Sequence, residues 1–121
     1  MKKFKLIFII YFTLVTNFIQ AETYYFSSSE GSDLYTSEQA QHQETPWQTI
    51  DKLNSIMTIL QPGDSVLFKR DDRFSGTITV GVSGTQGLPI TFGAYGAGTK
   101  KPVLDNRLEL TNWTNVEGNI W

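Results

Sequence analysis

The chain has no cysteine. That removes thiolate nucleophiles, CxxC redox chemistry and cysteine-based zinc sites together. An exported domain without disulfides must be held by its core or by continuation into a larger structure. There is one histidine, His42, in the polar run SEQAQHQE. Alone it builds neither a histidine metal cluster nor a triad with a base in reserve, and it reads as a solvated loop residue. Positive charge is scarce as well. Three of the ten Lys and Arg residues, Lys2, Lys3 and Lys5, lie at the extreme N-terminus, and beyond residue 21 there are 7 against 12 Asp and Glu, a formal charge of −5. Such a balance offers no basic footprint for nucleic acid. A polyanionic substrate would need locally placed cations or a bridging metal.

Long apolar runs are missing too. The one continuous run, Leu6–Val15 (LIFIIYFTLV), is followed by Thr16 and Asn17 and interrupted by Thr13, short of the ~20 residues a membrane span needs. With the lysines before it and Ile19-Gln20-Ala21 after it, residues 1–21 read as a cleaved secretory signal, with Glu22 the first mature residue. The expected address is secreted, periplasmic or cell-surface, with no membrane association after cleavage. Residues 22–121 then make one small domain, not two.

What remains is organised by periodicity. Thr23–Phe26 (TYYF) is aromatic and β-branched, hence a strand. Ser27–Thr45 is polar with no apolar period and reads as an exposed loop. Ile50, Leu53 and Met57, with Ile56 and Leu60 beside them, then set an apolar stripe at i, i+3, i+7, the mark of an amphipathic helix over about 49–59. Thr45-Pro46-Trp47-Gln48 has capping-box spacing, and Thr49 is the competing, favoured N-cap, with Trp47 packing just before the turn. Pro62 stops the helix, because its ring pushes Gln61 out of the α region.

Beyond Pro62 the period changes to two. Ser65–Phe68, Thr77–Val80, Ile90–Phe92, Val103–Leu104 and Leu108–Leu110 read as short strands, separated by turn chemistry at Asp71-Asp72, 81–89 and 93–102. Regular spacing of about twelve residues fits a small β-sandwich or a solenoid with two strands per coil. No Asn-Gly or Asp-Gly hairpin turn joins the runs, although a small antiparallel sandwich should have some. A helix ahead of the strands is what an open solenoid end requires, because an uncapped first coil exposes its interior and an unpaired edge. The fold class expected is all-β: a capping helix, then the first coils of a parallel solenoid, with the sandwich as the alternative.

Few residues offer chemistry. Asp71-Asp72 is the one adjacent acid pair in the strand region. Calcium needs six to eight oxygens from several segments, and neighbours in a strand point to opposite faces, so the pair reads as a solvated turn beside Lys69, Arg70 and Arg73. Asp105 with Glu109 has the residue types of a glycosidase pair, but such pairs need a specific cleft. Gly93–Lys100 (GAYGAGTK) lacks the Lys directly after the second glycine that a phosphate loop requires. Gly81–Gly84 lacks the last glycine of a nucleophile elbow. Asn112-Trp113-Thr114 fits a glycosylation sequon. Among the aromatics, Trp47, Phe68, Phe74 and Phe92 should fill the core, while Tyr95 and Trp113, near turns, should be exposed. No catalytic, cofactor-binding or metal-ligating residue is assigned.

The segments TYYF–SSSEGSD, PWQTIDKLN, LQPGDSVLFKR, FSGTITV, SGTQGLPITFGAYG and KPVLD resemble the N-terminal region of secreted right-handed parallel β-helix proteins of the pectate-lyase-like superfamily, from Thr23 to Asp105. The resemblance implies an exported protein that binds or cleaves polysaccharide, often acidic, with calcium in many of the lyases. Asp71-Asp72 departs from the small turn residues expected after Lys69-Arg70. The family's catalytic bases and calcium carboxylates sit on later coils, and no position here matches them. The expectation is therefore the N-terminal part of an exported polysaccharide lyase or hydrolase, without a catalytic site in this chain and partnered by the remaining coils. A non-catalytic carbohydrate-binding or surface-adhesion β-helix, and an inactive truncated product, are the alternatives. From Leu108 to Trp121 nothing reads as a polar cap, so an exposed apolar end is expected.

Overall fold

The structure is a computed structural model and describes residues 20–107. Five strands run in chain order: β1 (Thr23–Phe26), β2 (Ser65–Lys69), β3 (Arg73–Ser75), β4 (Thr91–Tyr95) and β5 (Val103–Asp105). One helix, α1 (Ile50–Ile56), lies between β1 and β2 and continues into a 3-10 turn, Met57–Ile59. The strands form two sheets, β1-β2-β4 and β3-β5, and every named pair is parallel.

Parallel neighbours cannot be joined by a tight turn and need a crossover of a dozen or more residues. The chain meets that requirement by circuits. From β2 it turns through residues 70–72 into β3, returns over 76–90 to β4 beside β2, then turns again into β5 beside β3. Registers are unbroken: Thr23, Ser65 and Thr91 align, and so do Tyr24, Val66 and Phe92. Side chains of one parity therefore stack inward. Phe26 contacts Phe68 at 5.7 Å between ring centroids, and Phe68 meets Phe74 of the other sheet edge-on at 5.0 Å. Tyr24, Phe26, Val66, Phe68 and Phe74 are all buried, each such side chain contributing roughly 1.5–3 kcal/mol on leaving water.

The first turn locks onto the second. Asp71 takes a left-handed φ of 68°; its amide donates to the Lys100 carbonyl, and its Oδ1 accepts from the Lys100 amide at 2.8 Å. A Cβ at Gly98 would stand 2.7 Å from the Arg70 Cβ, closer than side chains approach, so glycine suits the place where the turns stack.

The helix begins where the cap chemistry favours. The Thr49 hydroxyl accepts from the Lys52 amide at 3.0 Å, while the Thr45 hydroxyl instead donates to the Gln39 carbonyl. Asp33 holds the cap in turn, accepting from the Gln48 and Thr49 amides and the Thr49 hydroxyl. Ile50, Leu53 and Ile56, with Met57 and Leu60, join the same core as the strands. Trp47 is buried, stacks on Tyr24 at 5.5 Å and donates its indole N–H to the Tyr35 carbonyl at 2.7 Å. Its backbone also bridges the outer edge of β1 at Phe26.

Three readings are corrected. Thr77–Val80 is not a strand. Gly76, at φ 133°, ends β3, and the Asn54 side chain donates to the Thr77 carbonyl and accepts from the Thr79 amide, so these backbone groups are met by the helix. The second sheet instead begins at Arg73–Ser75. The segment 27–45 is not merely an exposed loop, since Ser27 and Ala40 are fully buried and Gln39–Gln41 forms a 3-10 turn. Tyr95, expected to be exposed, is buried at 9%. The leader (1–19), the strand Leu108–Leu110, Glu109, the sequon, Trp113 and the apolar end to Trp121 lie outside the described residues.

Leu53 is fully buried between α1 and the sheets. Leu53→Asp places an unpaired carboxylate there and should remove several kcal/mol, enough to abolish the cooperative melt. Thermal denaturation by circular dichroism checks it; an unchanged melting temperature would show that the helix face is not where the structure puts it.

Candidate functional site

The acid pair in the first turn divides. Asp71 is exposed and serves the turn, but Asp72 is only 7% exposed, which corrects the solvated reading. The alternation that turns Arg73 outward and Phe74 into the core also carries Asp72 under the loop that follows β1. There its Oδ2 accepts from the Ser27 hydroxyl at 2.8 Å and its Oδ1 from the Ser29 hydroxyl at 2.7 Å, with the Ser29 amide at 3.3 Å. Burial pushes this carboxyl up. The hydrogen bonds from Ser29, Ser27 and the local amides outweigh that and hold it below the ordinary aspartate value. An ionised carboxylate whose oxygens are already occupied is a clasp, not a proton donor.

Tyr95, in register with Lys69 on β4, packs edge-on against Tyr25 at 4.9 Å. Burial, then the charges of Asp72 and Glu30, push its phenol up to about 12, and its hydroxyl is buried without a hydrogen-bond partner among the described residues. Lys69 pairs with Glu30, fastening the same loop from the other side.

Asp105 ends β5 between two guanidinium groups. Arg107 binds it through Nε at 2.9 and 3.0 Å, and Arg73 bonds it from the neighbouring strand. Chiefly through the Arg107 hydrogen bond, its carboxyl is lowered to about 2. A group held there stays ionised across the range in which a glycosidase acid must carry a proton, and its oxygens are engaged by Arg73 and Arg107.

Calcium, implied by the resemblance, does not fit the described residues. No three Asp, Glu or His side chains come together among them, and both carboxylates of the acid pair are spent on local hydrogen bonds. His42 is exposed on the polar loop. Gly93–Lys100 forms the end of β4 and the second turn, and Gly81–Gly84 lies on the return segment, so neither glycine run makes a nucleophile or phosphate site.

One cleft of about 370 Å³ lies beside the helix start, lined by Gln48, Thr49, Arg73 and Ser75 among others, and further concave surface lies along β4 and β5. Among the described residues β4 and β5 each keep one unpaired edge. Between them is a cleft of about 300 Å³ lined by Phe68, Phe92, Ala94, Pro102 and Leu104, with Arg70 and Lys101 also on its wall. Another cleft of about 370 Å³ adjoins it at Phe92, lined by Val80, Val82, Pro89 and Ile90. Phe92 and Leu104 are 41% and 50% exposed although their strand parity points them inward. The cleft between β4 and β5 is apolar with two cations on its wall, and its lining residues include no Asp, Glu or His. The residues that fasten the loop, Ser27, Ser29 and Asp33, were missed in the sequence; the one available signal was a run of serines close to the strand they clasp.

No family model matches the chain. It is 38% identical over 104 residues to a lacto-N-biosidase of Bifidobacterium longum subsp. longum, covering 82% of this chain and 6% of that protein. Its structure is similar to the crystal structure of a GH136 lacto-N-biosidase from Eubacterium ramulus, native protein, with a TM-score of 0.56 and 34% identity over 66% of this chain and 12% of that one. The selenomethionine derivative of the same protein gives the same values. The chain thus spans a small part of the proteins it matches.

Asp72→Ala should cost about 1–3 kcal/mol, because Ser27 and Ser29 lose their acceptor in a buried place. The depressed carboxyl also fixes a sign. Its contribution is complete above the ordinary aspartate value of about 4 and is lost as pH falls through the lower folded value. Melting temperatures between pH 7 and pH 2.5 should therefore fall more steeply in the parent than in Asp72→Ala. Equal slopes would contradict the clasp.

Proposed function

We propose that this chain is the opening, non-catalytic segment of an exported glycan-acting hydrolase. On this reading its parallel circuits are the first coils of a right-handed parallel β-helix, and α1 is the cap on their N-terminal side. The observation that carries the proposal is the pairing of sequence similarity with its extent: both relatives are named as lacto-N-biosidases, and the likeness covers 6% and 12% of their lengths. The geometry supports it. Inward side chains stack in register across β1, β2 and β4, the edge of β1 is covered by Trp47, and among the described residues the opposite edge is unpaired and borders an apolar cleft. Crossovers between parallel strands are right-handed in nearly all proteins, which favours that hand here.

The catalytic groups then belong to coils outside this chain, and its role is to nucleate and close the stack. Terminal units of a solenoid do this because every coil buries its interior only against a neighbour. The carbohydrate substrate is that of the whole enzyme, and export follows from the leader expected at residues 1–21.

Two preparations test the reading together. Residues 22–107 replacing the matched segment of the Bifidobacterium lacto-N-biosidase should give a secreted chimera that retains glycosidase activity within about tenfold. Residues 22–121 alone should release no sugar from the substrates of that enzyme. A folded, secreted but inactive chimera, or hydrolysis by the isolated chain, would overturn the proposal.

A further inference from the structure

Asp64 is buried, at 2% exposure, in the turn that precedes β2. Its Oδ2 accepts from the Gln61 amide at 2.8 Å and its Oδ1 from the Glu22 backbone nitrogen, also at 2.8 Å. No Lys or Arg of the described residues pairs with it. A buried carboxylate with two neutral donors and no counter-charge is costly to keep, since burial without a cation forfeits hydration that amides only partly replace. Every other part of the surroundings is fixed around that oxygen. The Ser65 amide donates to the Glu22 carbonyl at 2.8 Å, the Thr91 amide donates to the Asp64 carbonyl at 2.9 Å, and the Glu22 side chain is engaged by the Tyr24 hydroxyl. Glu22 itself is exposed on its other side, as is Ala21 before it.

The nitrogen that touches Asp64 is the one that cleavage after Ala21 would set free. We propose that Asp64 is a receptor for the mature N-terminus: removal of the leader converts the Glu22 amide into an α-ammonium that forms an ion pair with this carboxylate, so that processing itself stabilises the fold. A signal peptidase hydrolyses the Ala21–Glu22 bond with one water, leaving a carboxylate on Ala21 and an amine on Glu22, which takes up a proton from solvent. No movement is needed, because the nitrogen already lies at hydrogen-bond distance. The inference rests on export and on the cleavage position, not on the glycan chemistry.

The site's titratable groups are few: the new amine, Asp64, the Glu22 carboxylate and the Tyr24 phenol, which burial and then Glu22 push upward. An α-amine ordinarily titrates at about 8, and a carboxylate partner raises it. Its stabilisation is therefore complete below about pH 8 and is lost as pH rises through the raised folded value.

The test compares three forms of the same chain at pH 7: residues 22–121 with a free Glu22 amine, the same chain acetylated at that amine, and a chain retaining Gln20-Ala21 ahead of Glu22. The free-amine form should melt about 5 °C or more above both others, on the scale usual for domains of this size, and lose its advantage above about pH 10. Asp64→Asn should erase the difference. Because that variant removes a buried group and could fail to fold, the Glu22 amine is also titrated by NMR in the parent, where a value at least one unit above 8 is expected. Equal melting of the three forms, an advantage that survives in Asp64→Asn, or an amine titrating at its ordinary value would overturn the proposal. So would N-terminal sequencing of the exported protein that begins anywhere but Glu22, and that result would leave the glycan-hydrolase reading standing.

Discussion

The structure depends on one constraint: parallel strands held in unbroken register, so that every inward side chain sits on the one a circuit earlier. Tyr24, Val66 and Phe92 fall in one row, and Phe26, Phe68 and Ala94 in the next. A slip of one residue in any strand would turn its whole inward set to solvent. Register therefore fixes the core, the position of the turns and the path of the returning chain. It also explains the contrast between the two ends. On the β1 side Trp47 stacks on Tyr24 and bridges Phe26, whereas at β4 the same row presents Phe92 at 41% exposure among the described residues.

Carboxylates do the fastening. Asp33 holds the helix cap, Asp71 ties one turn to the next, Asp72 holds the loop after β1, and Asp64 receives the chain where β1 starts. Four acids are spent on backbone amides and hydroxyls, which accounts for a negative chain that shows no acidic centre among its described residues.

Much of this was legible in the sequence, and the failures have physical causes. The helix stripe, the Thr49 cap and the runs at β1, β2 and β5 follow from periodicity and local chemistry, which neighbouring residues carry. Thr77–Val80 misled because alternation reports what a segment could pair with, not what it meets; there the partner is Asn54. Arg73–Ser75 was hidden by its charged first residue. The burial of Asp72 is decided by the loop after β1, through Ser27 and Ser29, and that of Tyr95 by Tyr25 on β1, and no local window contains that information.

The most direct measurement of this account is amide hydrogen exchange along β4 in residues 22–121. In the parallel register Thr91 donates to the Asp64 carbonyl, so Gly93 and Tyr95 also donate toward β2, while Phe92 and Ala94 direct their amides to the edge that is unpaired among the described residues. Protection should therefore alternate, slow at 91, 93 and 95 and near solvent rates at 92 and 94. Uniform protection along β4 would contradict the open edge, and protection at 92 and 94 alone would contradict the register on which the fold depends.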